Sequence, residues 1–323
     1  MGEPKTVITV AKQDSVETIT REQLPAALAD KESRVWIDLE NTGTGGFDQL
    51  QPALVFHPMA VEDCVTDVNF PRADDYGPYL YLAVHSARWD ENETEPTIKE
   101  LDVLLGADYI ITYHEEPTRG ITRADELVRR RPSILSKGPD NLLYLILDVM
   151  VDNYMPILEQ LQGRVDEIEE RLLDRPDRRM LAEILRFKRG IAALRRIVGP
   201  QRDAILALTR DEFDEIRPEI RPYLRDVYDR LARISDLLDA FRDELATILD
   251  IYVSQISNQL NEVMKVLTLI TVIIVPVTLV ASIYGMNVVF PGVNTRHGFW
   301  VAMALMGVTA AGMVWFFRSR KWL

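Results

Sequence analysis

The sequence predicts an α/β domain followed by a helical stalk and a two-helix C-terminal transmembrane hairpin. Three observations predict it. Residues 266–295 carry no charge, and after Arg296 and His297 a second uncharged run covers Gly298–Phe317. Between Gly199 and Gly285 there is no glycine, and between Pro222 and Pro291 the one proline is Pro276. The first 135 residues instead hold short apolar or β-branched runs of strand length, separated by turn residues.

Composition bounds the function. A chain of 323 residues with 47% hydrophobic content holds one soluble domain plus a membrane hairpin. The net charge of -13 argues against a nucleic-acid partner and suits a protein that handles cations. The single cysteine, Cys64, excludes an intramolecular disulfide and fits a reducing cytosol. Met1-Gly2 with Thr6 matches a myristoylation pattern, and Asn92-Glu-Thr94 a glycosylation sequon. Both are set aside for a cytosolic N-terminal body.

Residues 1–135 form the cytosolic α/β domain. Thr6–Val10, Val35–Leu39, Tyr79–Ser86, Leu101–Gly106 and Tyr109–Tyr113 read as strands. Arg21–Asp30, Asp48–Thr66 and Arg119–Arg131 read as helices, with Pro58 a break or first-turn residue. The later strands follow one another too closely for helical crossovers, so the sheet is mixed or antiparallel. Residues 136–214 are an antiparallel helical pair. Asn141–Leu173 and Asp177–Ile197 are rich in Leu, Ile, Glu and Arg, punctuated by Arg175-Pro176 and Gly199-Pro200. Gln201–Asp211 continues or restarts the second helix.

The stalk, 215–265, belongs to a helix expected to run from Pro222 to Tyr284, roughly 95 Å at about 1.5 Å per residue. Leu231, Ile234, Leu238, Phe241, Leu245, Ile248 and Tyr252 recur at steps of three and four. That is a coiled-coil-like seam, which predicts packing against copies of the same helix. One helix would then carry force from the soluble domain into the membrane.

Transmembrane helix 1 spans 266–287, an outer loop 288–297, transmembrane helix 2 298–317 and a basic tail 318–323. Each apolar run has the roughly 20 residues a bilayer requires, and a bilayer admits only helices or closed barrels. Lys265, Arg318, Arg320 and Lys321 flank the spans on one side, against Arg296 in the loop. The excess of basic residues puts both termini in the cytosol. Asn261, Met264, Leu267, Thr271, Val275, Thr278 and Ser282 follow steps of three or four and form one stripe of neutral polar and medium apolar groups. Such a stripe suits a pore lined by symmetry copies of one helix, or plain helix packing, where Ser and Thr are also common.

Tyr284-Gly285-Met286-Asn287 closes the first span, and Lys321-Trp322-Leu323 follows the second. With Asn261-Glu-Val-Met-Lys265, this ending resembles the CorA family of divalent-cation channels, and the likeness extends more loosely across the cytosolic part. The resemblance implies a homopentameric funnel in which Gly285, Met286 and Asn287 form the selectivity filter. It implies a pore lined by the stripe, with Met264 and Leu267 as an apolar constriction. The cargo would be Mg2+, with Co2+ or Ni2+ as further ions. An amide ring suits that cargo, because Mg2+ gives up water reluctantly and amide oxygens can bind its hydration shell without trapping it. The family likeness also makes Glu62 and Asp63, in His57-Pro-Met-Ala-Val-Glu-Asp63, ligands for regulatory Mg2+ between subunits, together with Asp148 and Asp226. Asp226→Ala or Asp63→Ala would then weaken closure by internal Mg2+. Solvated carboxylates or intrachain ion pairs are the other reading of these four.

The loop Val288–His297 departs from the family pattern, since it lacks a carboxylate. That leaves a zinc transporter of the related ZntB branch, with proton coupling, as the alternative for Zn2+. A membrane-anchored cytosolic enzyme or signalling protein is the remote third reading. A metal cluster at His114-Glu115-Glu116 is set aside for turn chemistry before Pro117. Gly43-Thr-Gly-Gly46 reads as a flexible loop, His57 lacks a second histidine at ligand spacing, and Cys64 reads as a buried small side chain.

Overall fold

The computed structural model describes residues 4–13, 15–66, 70–90, 95–174, 178–286 and 296–320. They fall into two compact units, residues 1–248 and 249–323.

The first unit opens with β1 (Lys5–Lys12), β2 (Ser15–Ile19), α1 (Leu24–Ala29), β3 (Arg34–Glu40), α2 (Gly43–Asp48) and α3 (Pro58–Val65). Then come β4 (Arg72–Asp75), β5 (Leu80–Arg88), β6 (Thr97–Leu105), β7 (Tyr109–His114), α4 (Arg119–Arg130), α5 (Ser133–Ser136) and α6 (Pro139–Asp152). One seven-stranded sheet runs in the order β2-β1-β3-β7-β6-β5-β4. Only β3 and β7 pair in parallel, with Trp36 opposite Ile110, so of the two expected forms, mixed or antiparallel, the sheet is the mixed one. The expected strands are all present. β2 and β4 were missed because both are edge strands, and Arg72-Ala-Asp-Asp75 carries no apolar run to announce it.

One sheet face is sealed by a core of Ile8, Val35, Ile37, Leu39, Tyr81, Leu104 and Ile111 under Leu24, Phe47, Phe56, Ala60 and Cys64. This core corrects two expectations. Gly43–Gly46 is the start of a short helix and not a loop: Phe47 is buried against Phe56 at 5.5 Å and Tyr113 at 5.7 Å, and that packing overrides the glycines. The helix expected over Asp48–Thr66 is confined to α3. Pro58 occupies its first turn, and His57 caps it by accepting from the Met59 N–H at 3.2 Å. α5 and α6 also pack on the sheet, with α4 against both of them.

A buried acid sits on the first face. The Tyr81 hydroxyl donates to Asp102 Oδ1 at 2.7 Å, and Asp102 is 2% exposed. Burial, with the charge of Glu100, holds its carboxyl well above the usual range. The unfolded carboxyl has a pKa near 3.9. Above that value the unfolded chain gives up the proton while the folded chain keeps it, so stability falls as pH rises toward the folded pKa. Asp102→Asn is therefore expected to gain on the parent as pH goes from 5 to 8 in melting of the detergent-solubilised chain. A difference between the two proteins that is the same at both pH values would sink this.

Beyond the sheet lie α7 (Tyr154–Asp174), α8 (Arg178–Leu208) and α9 (Arg221–Tyr284). The single helix expected over Asn141–Leu173 is two, parted at Asn153, which caps α6. Its apolar window is long enough to cross a membrane, but half of it is buried in this unit, so it is core. α8 runs through Gly199-Pro200 to Leu208 where punctuation was expected. Pro200 forfeits one helical hydrogen bond, while the next residue, Gln201, is fully buried and its side-chain oxygen accepts from the His85 N–H at 2.8 Å. Gly190 is needed for contact: a Cβ there would lie 2.1 Å from the Trp89 ring.

The seam of α9 gives the largest correction. Leu231, Ile234, Leu238, Phe241, Leu245 and Ile248 are each at most 3% exposed within the single chain. Leu161, Val165 and Ile168 of α7 and Ile184, Ile191 and Leu194 of α8 are buried with them. Arg171 pairs with Glu183 at 2.9 Å, and Arg195 with Asp239. The seam closes a helical bundle in its own chain and is not available to copies of itself. Tyr252, in the second unit, is 7% exposed.

The second unit holds the rest of α9 and α10 (Arg296–Ser319). Both are long and apolar enough to cross a membrane, and 6% of each apolar window is buried. Arg296 and His297, expected in the loop, belong to the first turn of α10. Residues 287–295 lie outside the described residues.

Candidate functional site

The site is built on the apolar end of α9. Asn261, Met264, Leu267, Thr271, Val275, Thr278 and Ser282 are all exposed, at 57% for Met264 and 55% for Leu267. Exposure alone does not single them out, because Val263, Ile274 and Leu279 are as open. Nor does angle alone, because at about 100° per residue Leu279 falls at the angle of Asn261 and Ile274 close to that of Leu267. The shielded positions of this stretch of α9 are Leu269, Val272, Ile273, Pro276, Val277, Val280 and Tyr284. At about 100° per residue these centre roughly opposite the stripe. α10 has a matching shielded face at Gly298, Ala302, Met306 and Phe317. The stripe is thus the side turned away from the shielded side of the hairpin.

Its chemistry is mild. The Thr271 hydroxyl donates to the Leu267 carbonyl at 2.8 Å, and Thr278 to Ile274 at 2.9 Å. Each hydroxyl proton is used by its own helix, which leaves oxygen lone pairs to face outward. A surface of carbonyl-like acceptors and small apolar groups, without charge, can let a hydrated cation pass without holding it.

At the end of the stripe the helix tightens. The Gly285 N–H donates to Ala281 at 2.9 Å and the Met286 N–H to Ile283 at 3.3 Å. Gly285 is not among the residues with positive φ, and a Cβ there would meet the Ala281 carbonyl at 3.3 Å. Close approach, and not a left-handed backbone, is what its missing side chain provides here. Asn287, the third residue of the expected filter, lies outside the described residues.

The four carboxylates expected to hold a regulatory cation are found on α3, α6 and α9. Glu62 is exposed on α3. Its neighbour Asp63 pairs with Arg72, which also reaches Asp74 at 2.8 Å and lies 5.5 Å over the Tyr81 ring. Asp148 and Asp152 on α6 both accept from Arg230 on α9. Asp226, one turn before Arg230, forms an ion pair with its Nε at 3.2 Å without hydrogen-bond alignment. Burial works against the Arg230 charge, but Asp148, then Asp152 and Asp226, outweigh it and raise the guanidinium pKa. Among the described residues no three His, Cys, Asp or Glu side chains gather as a metal-holding group. In one chain, then, three of the four expected ligands pair with arginine.

Reasoning from the sequence missed Arg72, Asp152 and Arg230. The signal was there in part: Asp148 to Asp152 and Asp226 to Arg230 are both spaced i,i+4, which puts each pair on one helix face. His114 closes β7 with its Nε2 3.1 Å from Asp38 Oδ1, and Glu116 pairs with Lys99 at 2.6 Å. Cys64 is buried, and burial followed by the charge of Asp102 pushes its thiol well up.

Comparison with known proteins fits this geometry. The family described as CorA-like Mg2+ transporter protein matches residues 31–320. The cobalt/magnesium transport protein CorA of Thermotoga maritima is 34% identical over 299 residues, covering 91% of this chain and 85% of that protein. The zinc transport protein ZntB of Pectobacterium atrosepticum is 22% identical over 303 residues, covering 92% of this chain and 90% of that one. The complete CorA magnesium transporter structure from Methanocaldococcus jannaschii matches with a TM-score of 0.83 at 23% identity, over 98% of both chains, and so shares the fold. A family match across nearly the whole length, joined by a relative 34% identical over most of both chains, establishes that this chain belongs to the CorA-like Mg2+ transporter family.

Proposed function

We propose that the chain is a membrane transporter of divalent metal cations, not an enzyme, with Mg2+ as cargo and Co2+ or Ni2+ as further ions. The carrying observation is the uncharged stripe of α9, turned away from the hairpin's shielded side and ending at Gly285 and Met286. Five copies of the chain bring that stripe around one axis. Asn261, Met264, Leu267, Thr271, Val275, Thr278 and Ser282 line the path, and Gly285, Met286 and Asn287 form its filter. The two spans cross the cytoplasmic membrane with both termini in the cytosol, as the basic flanks require. The membrane potential drives entry: a divalent ion gains about 4.6 kcal/mol per 100 mV. A regulatory cation at Glu62, Asp63, Asp148 and Asp226 is a separate proposal, and the arginine partners of three of them count against it.

A second reading is zinc transport coupled to protons, favoured by the outer loop's lack of a carboxylate and by the ZntB relative. Ion uptake into proteoliposomes separates the two. Mg2+ uptake that follows membrane potential and ignores an imposed pH gradient is the expected result. Zn2+ uptake that follows the pH gradient, with Mg2+ inert, would move the chain to the zinc reading.

A further inference from the structure

We propose that Arg230 is a tethered cation that does the work of a bound metal ion, so that the contact between α6 and α9 closes without one. The geometry is that of a counter-ion site. A single guanidinium, 20% exposed, meets the carboxylates of Asp148, Asp152 and Asp226, which are 27%, 61% and 66% exposed. Asp148 and Asp152 lie one turn apart on α6, and Asp226 lies one turn before Arg230 on α9. Three like charges on facing surfaces repel unless a cation lies between them. The planar, five-donor fork of arginine serves two carboxylates with hydrogen bonds and a third by charge. Asp148 is the most shielded of the three and loses most if that cation leaves. The ring pair of Tyr144 on α6 and Tyr223 on α9, 5.3 Å apart, flanks the same contact.

A cation fixed by a covalent bond has no dissociation constant. Whatever response to internal divalent ions the protein has, the α6–α9 contact does not supply it, because a free ion would have to displace a guanidinium that cannot diffuse away. This inference stands apart from the transport reading, which ion flux tests by itself.

Amide hydrogen exchange on the full chain in detergent, with EDTA or with millimolar Mg2+, reads the contact locally at residues 139–152 and 221–235. In the parent, exchange there is expected to be the same in both conditions. Arg230→Gln leaves three carboxylates uncompensated, so exchange should run about tenfold faster in EDTA and slow again when Mg2+ is added. Mg2+ that slows exchange in the parent as much as in Arg230→Gln would overturn the proposal. So would a variant that exchanges like the parent in EDTA. Should Arg230→Gln not fold, the double variant Arg230→Gln with Asp152→Asn decides, since it leaves Asp148 and Asp226 facing each other without the tethered charge. A Mg2+ response appearing in that variant supports the proposal, and parent-like exchange in EDTA overturns it.

Discussion

Replacing Asn287 with alanine is expected to cut divalent-cation uptake by about ten- to a hundredfold while leaving assembly intact. In the sequence Asn287 directly follows the helix terminus at which the Gly285 and Met286 N–H groups are bonded. A hydrogen bond to a charged or strongly polarised group is worth about 1.5–3 kcal/mol, and each 1.4 kcal/mol is a factor of ten. Mg2+ holds its water tightly, so a ring of amides that binds the outer face of that water discriminates without dehydration. Alanine removes the acceptor and adds no bulk. The measurement is uptake at fixed membrane potential, with size-exclusion elution as the control for assembly. Uptake unchanged from the parent, at equal elution, would remove Asn287 from the filter and return the hairpin to the role of an anchor.

The second large effect is on stability. Leu238→Ala is expected to cost about 2–5 kcal/mol, the usual range for emptying a fully buried leucine site. Leu238 has no exposed surface in the single chain and lies amid the seam that α7 and α8 cover. Because the seam is filled from within, the loss should not depend on protein concentration. Were the seam a contact between copies, dilution would deepen the defect and concentration would repair it. Melting across a hundredfold range of concentration, parent against variant, tells the two apart. A Tm difference that shrinks steadily with concentration would restore the seam to the oligomer interface.

Much of the architecture was legible because its signals are local. Val266–Thr295 and Gly298–Phe317 need no partner to declare themselves, since length and lack of charge suffice. The strands Val35–Leu39 and Tyr109–Tyr113 showed in their own composition, and the start of α3 in the helix-compatible Pro58. The edge strands β2 and β4 did not show, because Ser15–Ile19 has two apolar residues that do not alternate and Arg72–Asp75 has one small one. The stripe on α9 was readable as a pattern, and six of its residues, from Met264 to Ser282, lie roughly opposite the shielded positions. The fate of the carboxylates was not readable. Asp148 and Asp152 meet an arginine 82 and 78 residues away, and no local rule announces such a meeting.

The sequence by itself determined the α/β domain, the long glycine-free helix, the hairpin and, through Tyr284-Gly285-Met286-Asn287, the family. Tertiary structure alone decided two things: that the seam from Leu231 to Ile248 is covered by α7 and α8, and that Asp63, Asp148 and Asp226 are held by Arg72 and Arg230. The physical reason is common to both. Periodicity tells which side of a helix must leave water, and charge tells which groups need a counter-ion, but either demand can be met by many surfaces. Only the packed chain selects the one that meets it.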